Sequence, residues 1–172
     1  MEFYIFRHGE TLESSKGIHY SAENVKTADI LPGSRAVIKG LAEYLKSVPT
    51  DFNTSSPLIR CVNTTKIINE VTGKVFVYDE RLTEFTFQLG ETFEQMAERT
   101  KNFLEELKTK NYKSIAICTH GAGISALKHL ITKGEYTLED LQDYPKPGVL
   151  LIIRDKEVEY LNFREDANTS KD

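Results

Sequence analysis

Residues 3–12 read FYIFRHGETL, and the fold turns on how the apolar start of this stretch joins the polar end. Phe3, Tyr4, Ile5 and Phe6 are strong strand formers with too little polarity to face water. A strand buried on both faces belongs to a sheet covered by helices, and in open α/β sheets ligands bind beyond the carboxyl ends of the strands. Arg7 and His8 then stand together at that edge, one permanently charged and the other able to titrate. The plainer alternative is a strand that ends in solvent.

The rest of the chain repeats the alternation. SRAVIKGLAEYLKS carries Val37, Ile38, Leu41, Ala42 and Leu45 on one helical stripe, with Ser34 as its cap. A short strand at DFNTS leads into SSPLIRCVNTTKIINEV, where a serine cap and Pro57 at the first helical position predict a helix start. KVFVY reads as a strand, and GETFEQMAERTKNFLEELKTK as the longest helix, with Phe93, Met96, Ala97, Phe103, Leu104 and Leu107 inward. SIAICTH is a buried strand, and GAGISALKHLIT a helix opened by Gly121 and closed by Gly134. GVLLIIR and EVEYLNF form a hairpin through the tight DKE connection, while residues 14–24 show no period and read as a loop. The expected fold is therefore α/β, a three-layer αβα sandwich whose mostly parallel central sheet has an antiparallel edge. One domain over residues 1–163 is expected, with 164–172 a polar, fraying tail.

With 172 residues the chain can bury one substantial core, and a net charge of −4 recommends neither nucleic acid nor an anionic membrane as partner. An anionic substrate would need a local positive pocket. No apolar run is long enough to cross a bilayer, and the first residues lack the basic-then-apolar pattern of an export signal, so a cytoplasmic location is expected. Cys61 and Cys118 then read as reduced thiols that fill space, with Cys118 expected close enough to the candidate site to be sensitive to oxidation. Neither begins a Cys-x5-Arg phosphatase loop, because positions 67 and 124 are Ile67 and Ile124.

Chemistry can sit in four places: Arg7-His8-Gly9-Glu10-Thr11; Arg60 in the first turn of a helix; the carboxylates Asp79, Glu80 and Glu84 of YDERLTEF; and His120 of AICTHGAG. Each has a bland reading as solvated charge. His120 repeats the opening pattern, an apolar strand followed by His-Gly. Two arginines, two histidines and one of those carboxylates along one sheet edge suit phosphoryl transfer, where catalysis is positioning plus charge stabilisation.

The segments FRHGET, SSPLIRCVNTT, DERLTEF, GETFEQMAER and THGAGISAL, in this order over residues 3–127, resemble the histidine phosphatase superfamily, also called the phosphoglycerate mutase-like fold. The resemblance implies that His8 is the nucleophile and forms a phosphohistidine, and that Arg7, Arg60 and His120 grip the phosphoryl oxygens. It selects Glu84, two residues after Leu82, as proton donor and then as the base that activates water. No metal and no cofactor are implied, since the arginines supply the positive charge. Many members carry asparagine where this chain has Ser14, and the usual Pro-Leu-Thr-x-x-Gly appears only as the looser DILPGSRAVIKG. Thr11, Ser14, His19 and Tyr20 are the candidate substrate-loop residues.

Hydrolysis of a phosphorylated metabolite or phosphoprotein is the favoured activity. The alternative is a mutase-type phosphotransferase, which needs a closed pocket, and FTFQL after Glu84 offers little material for a lid. Gly121, Gly123 and Ala126 also match the G-x-G-x-x-A of a nucleotide-binding module, although no second strand with the required acid follows. His8, His120 and Glu84 have the composition of a metal triad, against which the adjacent Arg7 argues.

Overall fold

A computed structural model describes residues 1–164. Six strands form one sheet in the order β3-β2-β4-β1-β5-β6. They are β1 (Glu2–Arg7), β2 (Phe52–Ser55), β3 (Val77–Tyr78), β4 (Ser114–Thr119), β5 (Val149–Arg154) and β6 (Glu157–Asn162). The first four run parallel, whereas β5 is antiparallel to β1, and β6 to β5. Among the described residues, five α-helices cover the sheet or flank its edge: α1 (Leu12–Lys16), α2 (Arg35–Lys46), α3 (Ile59–Thr72), α4 (Phe93–Lys108) and α5 (Gly121–Lys133).

The period-two alternation of strand side chains divides the core into two layers. Tyr4 and Phe6 of β1 face one way, with Ala116, Cys118, Leu150 and Ile152, onto α2 and α3. Phe3 and Ile5 face the other, with Ile115, Ile117, Leu151 and Ile153, onto α4 and α5. The three-layer sandwich expected from the sequence is the observed architecture.

Local details depart from expectation where side chains found better partners. The α3 helix begins after Leu58 rather than at Pro57, and no side chain caps it. Ser34 ends a 3₁₀ turn leading into α2, and its hydroxyl donates to the Leu31 carbonyl instead of capping. The segment read as a loop from residue 14 begins inside α1, where Thr11 and Ser14 form a reciprocal capping box. Of KVFVY only Val77–Tyr78 pairs, because this edge strand is too exposed for burial to extend it. The β5–β6 hairpin turns through Asp155 and Lys156, both at positive φ, as a two-residue turn requires. Gly134 closes α5 in the left-handed conformation.

Arg164, assigned by the sequence to the fraying tail, is tied down: its amide donates to Asn162 Oδ1 and its Nη1 to the Pro147 carbonyl. The rest of that tail lies outside the described residues. After α5 the chain enters an antiparallel strand, so no βαβ unit forms around Gly121. That glycine admits the Tyr144 ring, which a Cβ would meet at 2.5 Å. The nucleotide-binding alternative therefore lacks its structural context. No helix among the described residues is long and apolar enough to cross a membrane.

Candidate active site

Adjacent parallel strands in register bring the two His-Gly sequences together. Arg7 pairs with Thr119, so the next residues of β1 and β4, His8 and His120, leave the sheet side by side. The His8 amide donates to the Thr119 carbonyl at 3.2 Å, and the two imidazole centroids lie 5.2 Å apart. On the other side of β4, the Ser56 amide donates to the Cys118 carbonyl, which sets its hydroxyl 2.8 Å from His120 Nε2. The same hydroxyl accepts from the Leu58 amide at 3.3 Å, so Ser56 links the histidine to the approach to α3.

Arg60, in the first turn of α3, is fully buried. Its guanidinium lies over the Tyr20 ring at 4.3 Å, and Nη2 donates to Glu84 Oε2 at 3.2 Å. One turn later, Thr64 accepts from the Gly9 amide and donates to the Arg60 carbonyl, fastening the His8 loop to α3. Glu84 follows a 3₁₀ turn anchored by buried Leu82, and Oε2 lies 3.4 Å from His120 Nδ1. Arg99 of α4 donates to the carbonyls of Arg81, Thr83 and Glu84, holding the segment that carries the carboxylate. Asp79 pairs with Arg81 and Glu80 is exposed, which leaves Glu84 as the carboxylate beside the histidines.

The protonation states follow from these contacts. His8 Nδ1 lies 2.7 Å from the Gly9 carbonyl, which can only accept, so Nδ1 carries the proton and Nε2 keeps its lone pair. Burial, then the positive charge of His120, Arg7 and Arg60, holds the His8 pKa well below 6.5. Burial alone would raise Glu84, but His120, Arg60 and His8 outweigh it and keep the carboxylate ionised. Burial likewise opposes charge on His120, yet Cys61 and Glu84 raise its pKa. The Cys61 thiol lies 3.6 Å from His120 Nε2, so Cys61, rather than Cys118, is the cysteine at the site.

Four buried polar atoms here have no partner within the protein: Arg7 Nε, His8 Nε2, and Arg60 Nε and Nη1; beside them His120 Nδ1 meets only the Glu84 carboxylate, 3.4 Å away. Buried polar groups are normally paired. Three free guanidinium donors and one lone pair concentrated on neighbouring residues, with His120 Nδ1 beside them, fit an anion with several oxygens and an electrophilic centre. His8, Glu84 and His120 also offer ligand atoms within 4.8 Å of one another, a spacing a metal would accept. The Arg60 guanidinium bonded to Glu84 places a fixed positive charge in that position and disfavours a cation.

Residues 3–89 and 86–146 match the family model of the histidine phosphatase superfamily, branch 1. The chain belongs to that superfamily. Among curated proteins it is similar to one from Hydrogenobacter thermophilus named "Putative phosphoserine phosphatase 2", with 24% identity over 75% of this chain and 77% of that protein. Solved histidine phosphatase-like structures share its fold. The alpha-ribazole phosphatase of Shigella flexneri aligns with TM-score 0.76 and 18% identity, covering 94% of this chain and 95% of that one. The mycobacterial glucosyl-3-phosphoglycerate phosphatase aligns with TM-score 0.71 and 18% identity over 88% of each chain.

Within this histidine phosphatase the candidate loop residues separate into different tasks. Thr11 is fully buried and caps α1, with its hydroxyl 2.9 Å from the Tyr20 hydroxyl. Tyr20 packs under Arg60 and, with Ser14 and exposed His19, lines a cavity outside the histidines. FTFQL and the 17–20 loop meet through Gln88 Nε2, which donates to the Tyr20 carbonyl at 2.7 Å, and together they wall that cavity. Thr64 and Arg99 carry no signal in the sequence, and Ser56 only that of a helix cap. Only their neighbours in space give them a task.

Proposed function

We propose that the chain is a phosphomonoester hydrolase that works through a phosphohistidine on His8. The observation that carries this is the bare Nε2 of a neutral, buried His8 beside unpartnered guanidinium donors of Arg7 and Arg60, with His120 Nδ1 next to them. In the first step Nε2 attacks phosphorus, and the bond to the ester oxygen breaks. Arg7 and Arg60 stabilise the charge on the equatorial oxygens by charge-assisted bonds, with His120 as a third donor through Nδ1. Glu84 delivers a proton to the departing alkoxide. In the second step the same carboxylate takes a proton from water as it attacks the phosphohistidine, releasing inorganic phosphate and restoring His8.

Glu84 must gain a proton before it can act as an acid, and the free enzyme disfavours this. A bound phosphate dianion competes for Arg60 and His120, the groups that hold the carboxylate ionised, and adds its own negative charge beside it. Both effects raise the Glu84 pKa where the proton is needed. The arginines do the electrostatic work of a metal, so none enters the mechanism.

Residues 1–163 act as one catalytic domain in this scheme, since both core layers share one sheet. Cys61 and Cys118 are free and buried, which suits the reducing cytoplasm. The test is to mix the protein with a phosphate monoester, quench in alkali, and look for base-stable, acid-labile phosphate on His8. Label on wild type and none on a folded His8→Ala variant is expected. Steady phosphate release without label would refute the covalent route, and isomerisation of 3-phosphoglycerate faster than phosphate release would make the enzyme a mutase.

A further inference from the structure

The phosphoryl end accounts for Arg7, His8, Arg60, Glu84 and His120, but not for the cavity beside them, where the ester's leaving group must lie. That cavity measures about 290 Å³, the small end of the range for ligand sites. Two segments wall it with apolar surface: Phe85 and Phe87 after Glu84, and Leu141 and Tyr144 after α5, with Ile18 at the mouth. The rings are mutually packed, Phe85 on Phe87 at 5.5 Å and His19 perpendicular to Phe87 at 5.7 Å. Tyr144 lies beneath the Arg7 guanidinium at 5.2 Å. Ile18 and Phe87 remain 55% and 46% exposed, so the apolar lining continues outward to the rim.

Charge is as informative as shape. Among the described residues, the Lys, Arg, Asp and Glu side chains in the wall are Arg7 and Glu84, and the phosphoryl chemistry uses both; Ser14, His19, Gln88 and Gln142 supply its other polar groups. A carboxylate on the leaving group would find no arginine or lysine to spare, and an ammonium group no spare carboxylate, so either would give up hydration without an ion-pair partner of that strength. A flat, uncharged ring loses little water and gains contact with four apolar or aromatic side chains.

We propose that this site selects phosphate monoesters of uncharged, ring-bearing alcohols or phenols, and discriminates against phosphorylated amino acids and phosphorylated hydroxy acids. The inference rests on the hydrolase function proposed above. It is tested with pairs of primary alkyl esters whose leaving groups have similar acidity, so that the proton donor matters equally in each. The value of kcat/KM for 2-phenylethyl phosphate is expected to exceed those for ethyl phosphate, phosphoserine and 3-phosphoglycerate by about 10- to 100-fold. Phe87→Ala and Leu141→Ala should each lower that ratio about fivefold or more, mainly through KM. Leu141→Arg, which adds a cation to the wall, should shift preference toward 3-phosphoglycerate. Equal kcat/KM values in the wild type, or a preference for either charged ester, would overturn the assignment.

Binding of 2-phenylethylphosphonate and ethylphosphonate to the wild-type protein, read by calorimetry, separates this inference from the one beneath it. Tighter binding of the aromatic phosphonate without turnover of any ester keeps the pocket's preference and removes the hydrolase function. Turnover with equal phosphonate affinities keeps the hydrolase and removes the preference.

Discussion

Changing Glu84 to glutamine tests the acid at the centre of the proposed chemistry. The amide keeps the size of the side chain and an oxygen that can still accept from Arg60 Nη2, 3.2 Å away. What is lost is one charge-assisted bond and the ion-pair contact with His120, about 1–3 kcal/mol of stability. A domain with about 5–15 kcal/mol in hand remains folded. Catalysis suffers more selectively. Ethoxide is a poor leaving group without a proton, and losing a positioned acid costs about 10²–10⁴-fold, or about 3–5 kcal/mol of barrier. A nitrophenolate leaves without help, so kcat/KM for p-nitrophenyl phosphate should fall less than about tenfold. The second step loses its base for either substrate. Glu84→Gln should therefore release a burst of nitrophenol matching the enzyme concentration, followed by a slow steady state, as phosphohistidine accumulates. Stopped-flow absorbance reads the burst, and phosphate release from the two esters gives the kcat/KM ratio. Equal losses of kcat/KM on ethyl and nitrophenyl phosphate would refute the assignment of Glu84 as the acid.

Three other outcomes follow from the same geometry. His8, with its folded pKa below 6.5, and Glu84, with its carboxyl held below the unfolded value, both bind more protons when unfolded, so both make stability fall as pH drops. His120, raised above 6.5, contributes stability at low pH that is lost as pH rises through its folded pKa. Urea midpoints from pH 4 to 9 should show His8→Gln flattening the acid side and His120→Gln the alkaline side; unchanged profiles would contradict those shifts. Arg99→Ala removes donors to three carbonyls and should cost about 2–4 kcal/mol in urea unfolding, while lowering turnover of ethyl phosphate more than of nitrophenyl phosphate. Inorganic phosphate at about 100 times its Kd should stabilise the wild type by about 2.7 kcal/mol, and Arg60→Ala should reduce that gain to near zero in a thermal melt.

The sheet was legible because burial on both faces leaves long apolar runs such as FYIF and IAIC, which no surface strand tolerates. His8 and His120 were legible for the same reason, each standing where such a run stops. Arg60 and Glu84 were harder. An arginine in a helix and a glutamate in a loop are ordinarily solvated, and only resemblance to a family gave them roles. The serine cap expected before Pro57 is only part of what Ser56 does: its hydroxyl accepts from the Leu58 amide nearby, but its shorter bond is to His120, 64 positions away, which no local reading reaches. The same distance hid Arg99, whose three carbonyl partners lie 15 to 18 positions upstream.

By itself, the sequence determined the alternation of strand and helix, the two buried strand ends that carry histidine, and the family. Those properties are written in hydrophobic period and in short ordered segments, both readable one neighbourhood at a time. Tertiary structure decided the tautomer of His8, the pairing of Glu84 with Arg60 and His120, and the apolar and aromatic surface beside them. Each of these depends on groups brought within a few ångströms by the order and register of the strands, and electrostatic and packing energies act over that separation rather than along the chain.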